Sequence, residues 1–315
     1  MKKYLFIIIL FTFCSAVFAQ KDAADTIKYW KKGGLTGLNF TQSSFTNWAA
    51  GGENAFSATA LTNLFANYKK GKWTWDNNLD MAYGLLKSGK DKVRKNEDKI
   101  DFTSKLGRYA FYEHWYYTLL VNFKSQFDKG YNLPDDSNVV SHFLAPGYVI
   151  AALGLDYKTK DNSFSFFISP LTSKTVIVND QKLADAGAYG VTPAKYDSVA
   201  GVYVLVKNGE MINSEFGGYM KIAFKKDIMK NVNLATKLEL FSNYLKDPQN
   251  IQVNWEMLLS MKVNRLITAS ISTNMIYDHT IPVPVKREIN GVMVDGTGPR
   301  LQFKEVLAIG ISYKF

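Results

Sequence analysis

The sequence predicts an all-β fold, a transmembrane antiparallel up-and-down β-barrel of about twelve strands with long outer loops and short periplasmic turns. Three observations carry this. Apolar and polar residues alternate at period two over runs well past ten residues, short and long connections alternate along the chain, and Leu307, Ile309, Ile311, Tyr313 and Phe315 keep one apolar face to the last position. Terminal residues are usually polar and frayed, so an apolar last strand predicts a neighbouring strand and a covering surface.

The chain opens with Lys2 and Lys3, an apolar run from Leu5 to Phe13, and Val17-Phe18-Ala19 before Gln20. This is the pattern of a cleaved signal peptide over residues 1–19. Residues 20–32 then read as a short periplasmic segment and 33–315 as one barrel domain. The only cysteine, Cys14, lies in the leader, so the exported chain is expected to hold together without disulfides. No later apolar run approaches the roughly 20 residues of a membrane helix, yet 47% of the chain is hydrophobic and 14% aromatic. Those residues need another arrangement.

Period-two faces supply it. Trp73, Trp75, Leu79, Met81, Tyr83 and Leu85 oppose Thr74, Asp76, Asn78, Asp80, Ala82 and Gly84. The same split recurs from Trp115 to Phe127 and from Ile251 to Val263. Strands are expected at Gly33–Thr46, Asn54–Tyr68, Trp73–Ser88, Lys99–Phe111, Trp115–Phe127, Ala145–Tyr157, Ser163–Val178, Ser214–Phe224, Val232–Leu245, Ile251–Val263, Leu266–Ile281 and Arg300–Phe315. Turns at Lys69, Tyr112, Lys158, Lys225 and Asn264 are short. The intervening connections are mostly long: 47–53, 89–98, 128–144, 179–213 and 282–299, with 246–250 the short exception. Soluble sandwiches use strands of about five or six residues around a doubly apolar core, which these long one-sided strands do not match.

The lumen-facing candidates are Asp76, Asp80, Lys105, Lys124, Lys221, Lys237, Glu239, Glu256, Lys262 and Lys304, with mixed signs that suggest cross-strand ion pairs. The long connection 179–213 is a natural plug or lid, with a hairpin expected around Asn208-Gly209. Ile311, Tyr313 and Phe315 have the form of a terminal signal read by a barrel-assembly machinery. The net charge of +10 points, in an exported chain, to anionic lipid or solute and away from nucleic acid. The lysines are spread along the chain, which reads as a solvated surface.

The chemical motifs are sparse. His142, Asp278 and His279 form the best hydrolase constellation, but neighbouring strand residues point to opposite faces, so Asp278 and His279 do not share a site without a bulge. The stretches "LPDDSN" at Leu133 and "NDQKLADAG" at Asn179 offer carboxylates without the ligand spacing of a calcium loop. No cofactor is implied. The leading functional expectation is a narrow pore or passive transporter for small polar or anionic solutes. The alternative is a non-conducting scaffold whose outer loops bind a partner or lipopolysaccharide, and a surface hydrolase comes last. Membrane lipid, lipopolysaccharide and the assembly machinery are the expected partners.

The stretches "WKKGGL" at Trp30, "NWAAGGEN" at Asn47, "KGKWTWDN" at Lys70, "FLAPGY" at Phe143, "ISPLT" at Ile168, "KKDIMKNVNL" at Lys225 and "LFSNYLKDPQNIQVNWE" at Leu240 give a closer likeness. In these the chain resembles a family of outer-membrane barrels from Bacteroidota known as domain of unknown function 3078. The resemblance implies the barrel fold and no assigned activity.

Overall fold

The computed structural model describes residues 29–44, 53–131, 137–199, 201–289 and 292–315. The expected leader 1–19, most of the expected segment 20–32, residues 47–52 of the first connection and residues 133–136 of "LPDDSN" lie outside the described residues.

Twelve strands close a barrel: β1 (Trp30–Ser43), β2 (Ala55–Lys70), β3 (Trp73–Ser88), β4 (Arg94–Tyr109), β5 (Trp115–Ser125), β6 (Gly147–Lys158), β7 (Phe164–Ile177), β8 (Ile212–Met229), β9 (Val232–Asn243), β10 (Gln252–Lys262), β11 (Ile267–Tyr277) and β12 (Gln302–Lys314). Each strand pairs antiparallel with its neighbours in sequence, and β12 returns to β1. The ring therefore has no free edge, as a lipid environment demands.

The closing seam pairs Leu35 with Lys314 through Phe40 with Ile309. It continues one step further, because Gly34 N–H donates to Phe315 O at 2.9 Å and Phe315 N–H donates to Gly34 O at 3.0 Å. Glycine is required there, since a Cβ on Gly34 would stand 2.7 Å from both Asn63 O and the Phe315 ring. Tyr313 and Phe315 stack with centroids 6.2 Å apart. Leu307, Ile309, Ile311 and Tyr313 join Leu38, Phe40, Trp75, Leu119, Leu153 and Trp255 among the exposed apolar residues of the outer wall.

Several features differ from the sequence expectation, among them the end of β11 at Tyr277, which leaves Asp278 and His279 beyond the strand. The barrel begins at Trp30, so Trp30 to Lys32 belong to β1 instead of a separate segment. β4 begins at Arg94, which reduces the supposed long connection 89–98 to 89–93. "RKNED", residues 94–98, reads as a loop because it is charged, but its charges find partners: Lys95 donates to Asp98 at 2.8 Å and Lys304 donates to Glu97 at 2.5 Å. β8 runs to Met229, through the charged residues from Lys225 where the sequence predicts a turn. In the long connection, the hairpin pairs Lys195–Val199 with Val202–Lys207 and turns next to Gly201, whose φ is +81°. Asn208-Gly209 is not its turn, because Gly209 N–H is bonded to Asp185 Oδ1 at 2.7 Å. A second hairpin pairs Val283–Ile289 with Val292–Gly298.

Pro170 lies in the middle of β7, where it has no N–H to donate. Pairing skips a position on each side of it, between Leu153 and Leu155 on β6 and between Gly217 and Tyr219 on β8. Bulges are where sheets tolerate proline. Gly154 fits the β6 side because a Cβ there would lie 2.0 Å from Ile168 O. The buried Ser169 hydroxyl replaces the missing donor, 2.8 Å from Leu153 O and 2.9 Å from Leu171 O, while accepting from Thr172 Oγ1. Ser169→Ala therefore leaves a buried carbonyl without its donor and is expected to destabilise the barrel by about 1–3 kcal/mol. Urea unfolding in lipid vesicles measures this, and an unchanged midpoint would remove the role given to Ser169.

Candidate functional site: the lumen and its turn-end mouth

The inner wall is unevenly filled. Leu120 of β5, Ile150 and Ala152 of β6, Phe167 of β7, Tyr219 of β8 and Phe241 of β9 form one buried cluster inside the barrel. The period-two pattern predicts a polar inner face; this cluster escapes it because its members are one or two residues from each of several strands. Across the lumen, the inward residues of β10 to β12 and β1 to β3 are mostly part-exposed. Leu258, on the inward parity of Glu256, keeps 41% of its surface accessible. That half has room for water.

Ion pairs bridge the lumen. β4 and β10 stand opposite each other in the ring, and Lys99 Nζ of β4 reaches Glu256 of β10 at 2.8 Å. Lys237 of β9 bonds Asp101 of β4 at 3.1 Å and lies 3.3 Å from Glu256. Lys124 of β5 bonds Glu239 of β9, whose other oxygen lies 3.0 Å from Lys221 of β8. Lys105 bonds Asp156 at 3.0 Å, and Lys158 pairs with both Asp76 and Asp156. Such buried charges persist because each has partners; removing one leaves the others desolvated and uncompensated.

Asp80 differs from these carboxylates. It is inward, but its partners are Asn63 Nδ2 at 2.5 Å and Asn78 Nδ2 at 2.8 Å, and no lysine pairs with it among the described residues. Nearer the loop end, Lys174 pairs with Glu215 at 3.2 Å and Asp278 at 3.4 Å and donates to Gln252.

The basic excess gathers at the turn end. Lys31, Lys32, Lys69, Lys70, Lys72, Arg108, Lys160, Lys225, Lys226, Lys230, Lys262, Arg265 and Lys314 occupy strand ends or turns there, against Glu113, Asp161 and Asp227. The connections at the other end carry more carboxylates than cations. The charge is therefore polarised along the barrel axis, which its dispersal in the sequence conceals. Lys31, Lys225, Lys262 and Lys314 share the inward register of Leu35, Lys221, Glu256 and Lys304 and are exposed at the mouth. Among the described residues none of the four has a carboxylate within ion-pair distance.

At the loop end, helix α1 (Gln181–Asp185) starts the long connection. Ala184 and Val191 pack with Ala145, Val176 and Val178, with Tyr148, Leu183, Tyr189 and Met211 around them. Gly190 approaches Thr280, beyond β11, so closely that a Cβ would meet Thr280 Oγ1 at 2.8 Å. The connection thus reaches from β7 across the mouth.

Asp180 and Asp185 of this connection are committed to structure. Asp180 accepts from Leu183 N–H at 3.1 Å and approaches His142 Nε2 at 3.3 Å. Partial burial pushes the Asp180 pKa up, but the Leu183 and His142 hydrogen bonds outweigh it and hold it below the usual carboxylate range. Asp185 accepts from Gln181 and Gly209. His142 therefore contacts Asp180, whereas Asp278 contacts Lys174 and Thr280. Both ring nitrogens of His279 are buried without a hydrogen-bond partner among the described residues. The hydrolase constellation is not assembled by these contacts. A cleft of about 330 Å³ lies beside His142, lined by Phe127, Asp128, Lys129, Val139, Phe143 and Asp180.

Glu239→Gln is expected to cost about 3–5 kcal/mol, because Lys124 and Lys221 lose their shared counter-ion inside the barrel. Heat-modifiable mobility and urea unfolding measure the loss; a variant as stable as the parent would show that the network is not needed for stability.

No curated protein matches the chain. Among solved structures, it is similar to an outer-membrane channel from Pseudomonas putida F1, at 13% identity over 93% of this chain and 100% of that one, with a TM-score of 0.38. The translocator domain of the autotransporter NalP from Neisseria meningitidis aligns at 8% identity over 100% and 98%, with a TM-score of 0.35. The NanC porin aligns at 11% identity over 90% and 100%, with a TM-score of 0.34. "NWAAGGEN" and "KGKWTWDN" fall inside the stretch that matches a family model, while the other stretches named above fall outside it. Residues 40–131, from late in β1 to just beyond β5, match the model of the family described as "Protein of unknown function (DUF3078)".

Proposed function

We propose that this chain is an integral outer-membrane barrel that passes small anionic solutes through a narrow lumen. The observation that carries this reading is the set of inward lysines at the turn-end mouth, Lys31, Lys225, Lys262 and Lys314, none with a carboxylate partner among the described residues. Rings of cationic side chains select anions by favouring their entry electrostatically. Beyond the mouth, the half-lumen between β10 and β3 offers polar walls and solvent-accessible space. The pairs Lys99–Glu256 and Lys304–Glu97 cross it. Their side chains are part-exposed, so they cost less to separate than the buried pairs. At the far mouth the long connection brings Gly190 against Thr280.

A second reading, a non-conducting scaffold, is supported by the same cross-lumen pairs and by the covering connection. Conductance of the folded protein in planar bilayers separates the two. The pore reading expects anion-selective current, and Lys31→Gln/Lys225→Gln/Lys262→Gln/Lys314→Gln is expected to move the reversal potential in a salt gradient toward zero selectivity. Glu97→Gln is expected to raise the unit conductance. Silence from a correctly folded barrel, both intact and without residues 181–209, would replace the pore with the scaffold.

A further inference from the structure

The outer wall at the turn end carries a second set of cations, with a different direction and different neighbours. Lys32 of β1, Lys70 of β2 and Arg108 of β4 have the outward register of Gly34, Leu64 and Leu106 and are exposed. Each lies against an aromatic ring on the same wall. Lys32 Nζ is 5.7 Å from the centroid of Trp30, Lys70 Nζ is 4.8 Å from Tyr29, and Arg108 Cζ is 5.6 Å from Trp73. The rings continue as a patch, with Trp30 centred 5.2 Å from Tyr68 and 5.7 Å from Trp75. None of the three cations has a carboxylate partner among the described residues.

Aromatic residues of this kind sit at the headgroup level of a bilayer. Long basic side chains beside them lay their stems on apolar surface and present their charge at the same depth. We infer that the outward face of β1 to β4 at the turn end binds anionic phospholipid of the leaflet it meets, with headgroup phosphates at Lys32, Lys70 and Arg108 individually and glycerol and upper acyl chains laid on Trp30, Tyr68, Trp73 and Trp75. Lipopolysaccharide at the opposite end is the poorer match, because the connections there carry more carboxylates than cations. The outward set is distinct from the four mouth lysines. The inference rests on the membrane-barrel part of the reading above and is independent of whether the lumen conducts.

The patch contains its own probes, Trp30, Trp73 and Trp75. The folded barrel is placed in phosphatidylcholine vesicles containing brominated phosphatidylglycerol or, separately, brominated phosphatidylcholine, and tryptophan quenching is read against mole fraction. The expected result is a relative binding constant for phosphatidylglycerol about fivefold above phosphatidylcholine at low salt, close to the effect of one cation near one headgroup, and much reduced at high salt. Lys32→Gln/Lys70→Gln/Arg108→Gln should fall to the mole-fraction line, while Lys32→Arg/Lys70→Arg/Arg108→Lys should keep the preference; heat-modifiable mobility checks that both variants fold. Mole-fraction quenching of the parent, or an undiminished preference in the glutamine variant, overturns the inference. Absence of quenching by either brominated lipid overturns the membrane reading itself.

Discussion

A strand in hydrocarbon has no water to pair with its free N–H and C=O groups, and each unpaired group costs several kcal/mol. Closure of β12 onto β1 is therefore the condition on which every other feature of this barrel depends. It explains why the apolar alternation extends to Phe315, and why Gly34 has no side chain where the terminal ring crosses it. It also explains the treatment of Pro170. A closed ring cannot move a proline to an edge, so the missing donor is accommodated by bulges against both neighbours and by the Ser169 hydroxyl.

Closure then creates an interior problem. A ring of this size encloses more space than one layer of side chains fills uniformly. One half is filled by Leu120, Ile150, Phe167, Tyr219 and Phe241, and the charged residues span the remainder as pairs between opposite walls. Those pairs hold the walls together at the cost of desolvation, which the most buried of them offset by sharing partners: Glu239 holds Lys124 and Lys221. The less buried pairs at Lys99 and Lys304 border the open half. Stability and the proposed passage thus draw on the same set of residues at different depths.

The strands also sort charge by end. A surplus of lysine that is spread thinly in sequence becomes concentrated because each short turn returns to the same rim. Strand parity then divides it, sending Lys31 toward the lumen and the adjacent Lys32 toward the outer wall. One rim can in this way present cations to a solute and to a lipid headgroup without either set competing for the other's ligand.

The sequence by itself determined the fold class, the number of strands and most of their bounds, because period-two alternation and turn spacing are local properties. Trp73–Ser88 is legible in this way. It misread "RKNED", since charged residues resemble a loop until Lys304 and Asp98 are seen to neutralise them, and it misplaced the hairpin turn that Gly201 makes. Which inward residues meet across the lumen was decided by tertiary structure alone. Lys99 and Glu256 are far apart in the chain, and only the closed ring puts β4 opposite β10. The same holds for the apolar cluster and the cationic rim, whose members are scattered singly along the sequence and become neighbours only when the strands are folded side by side.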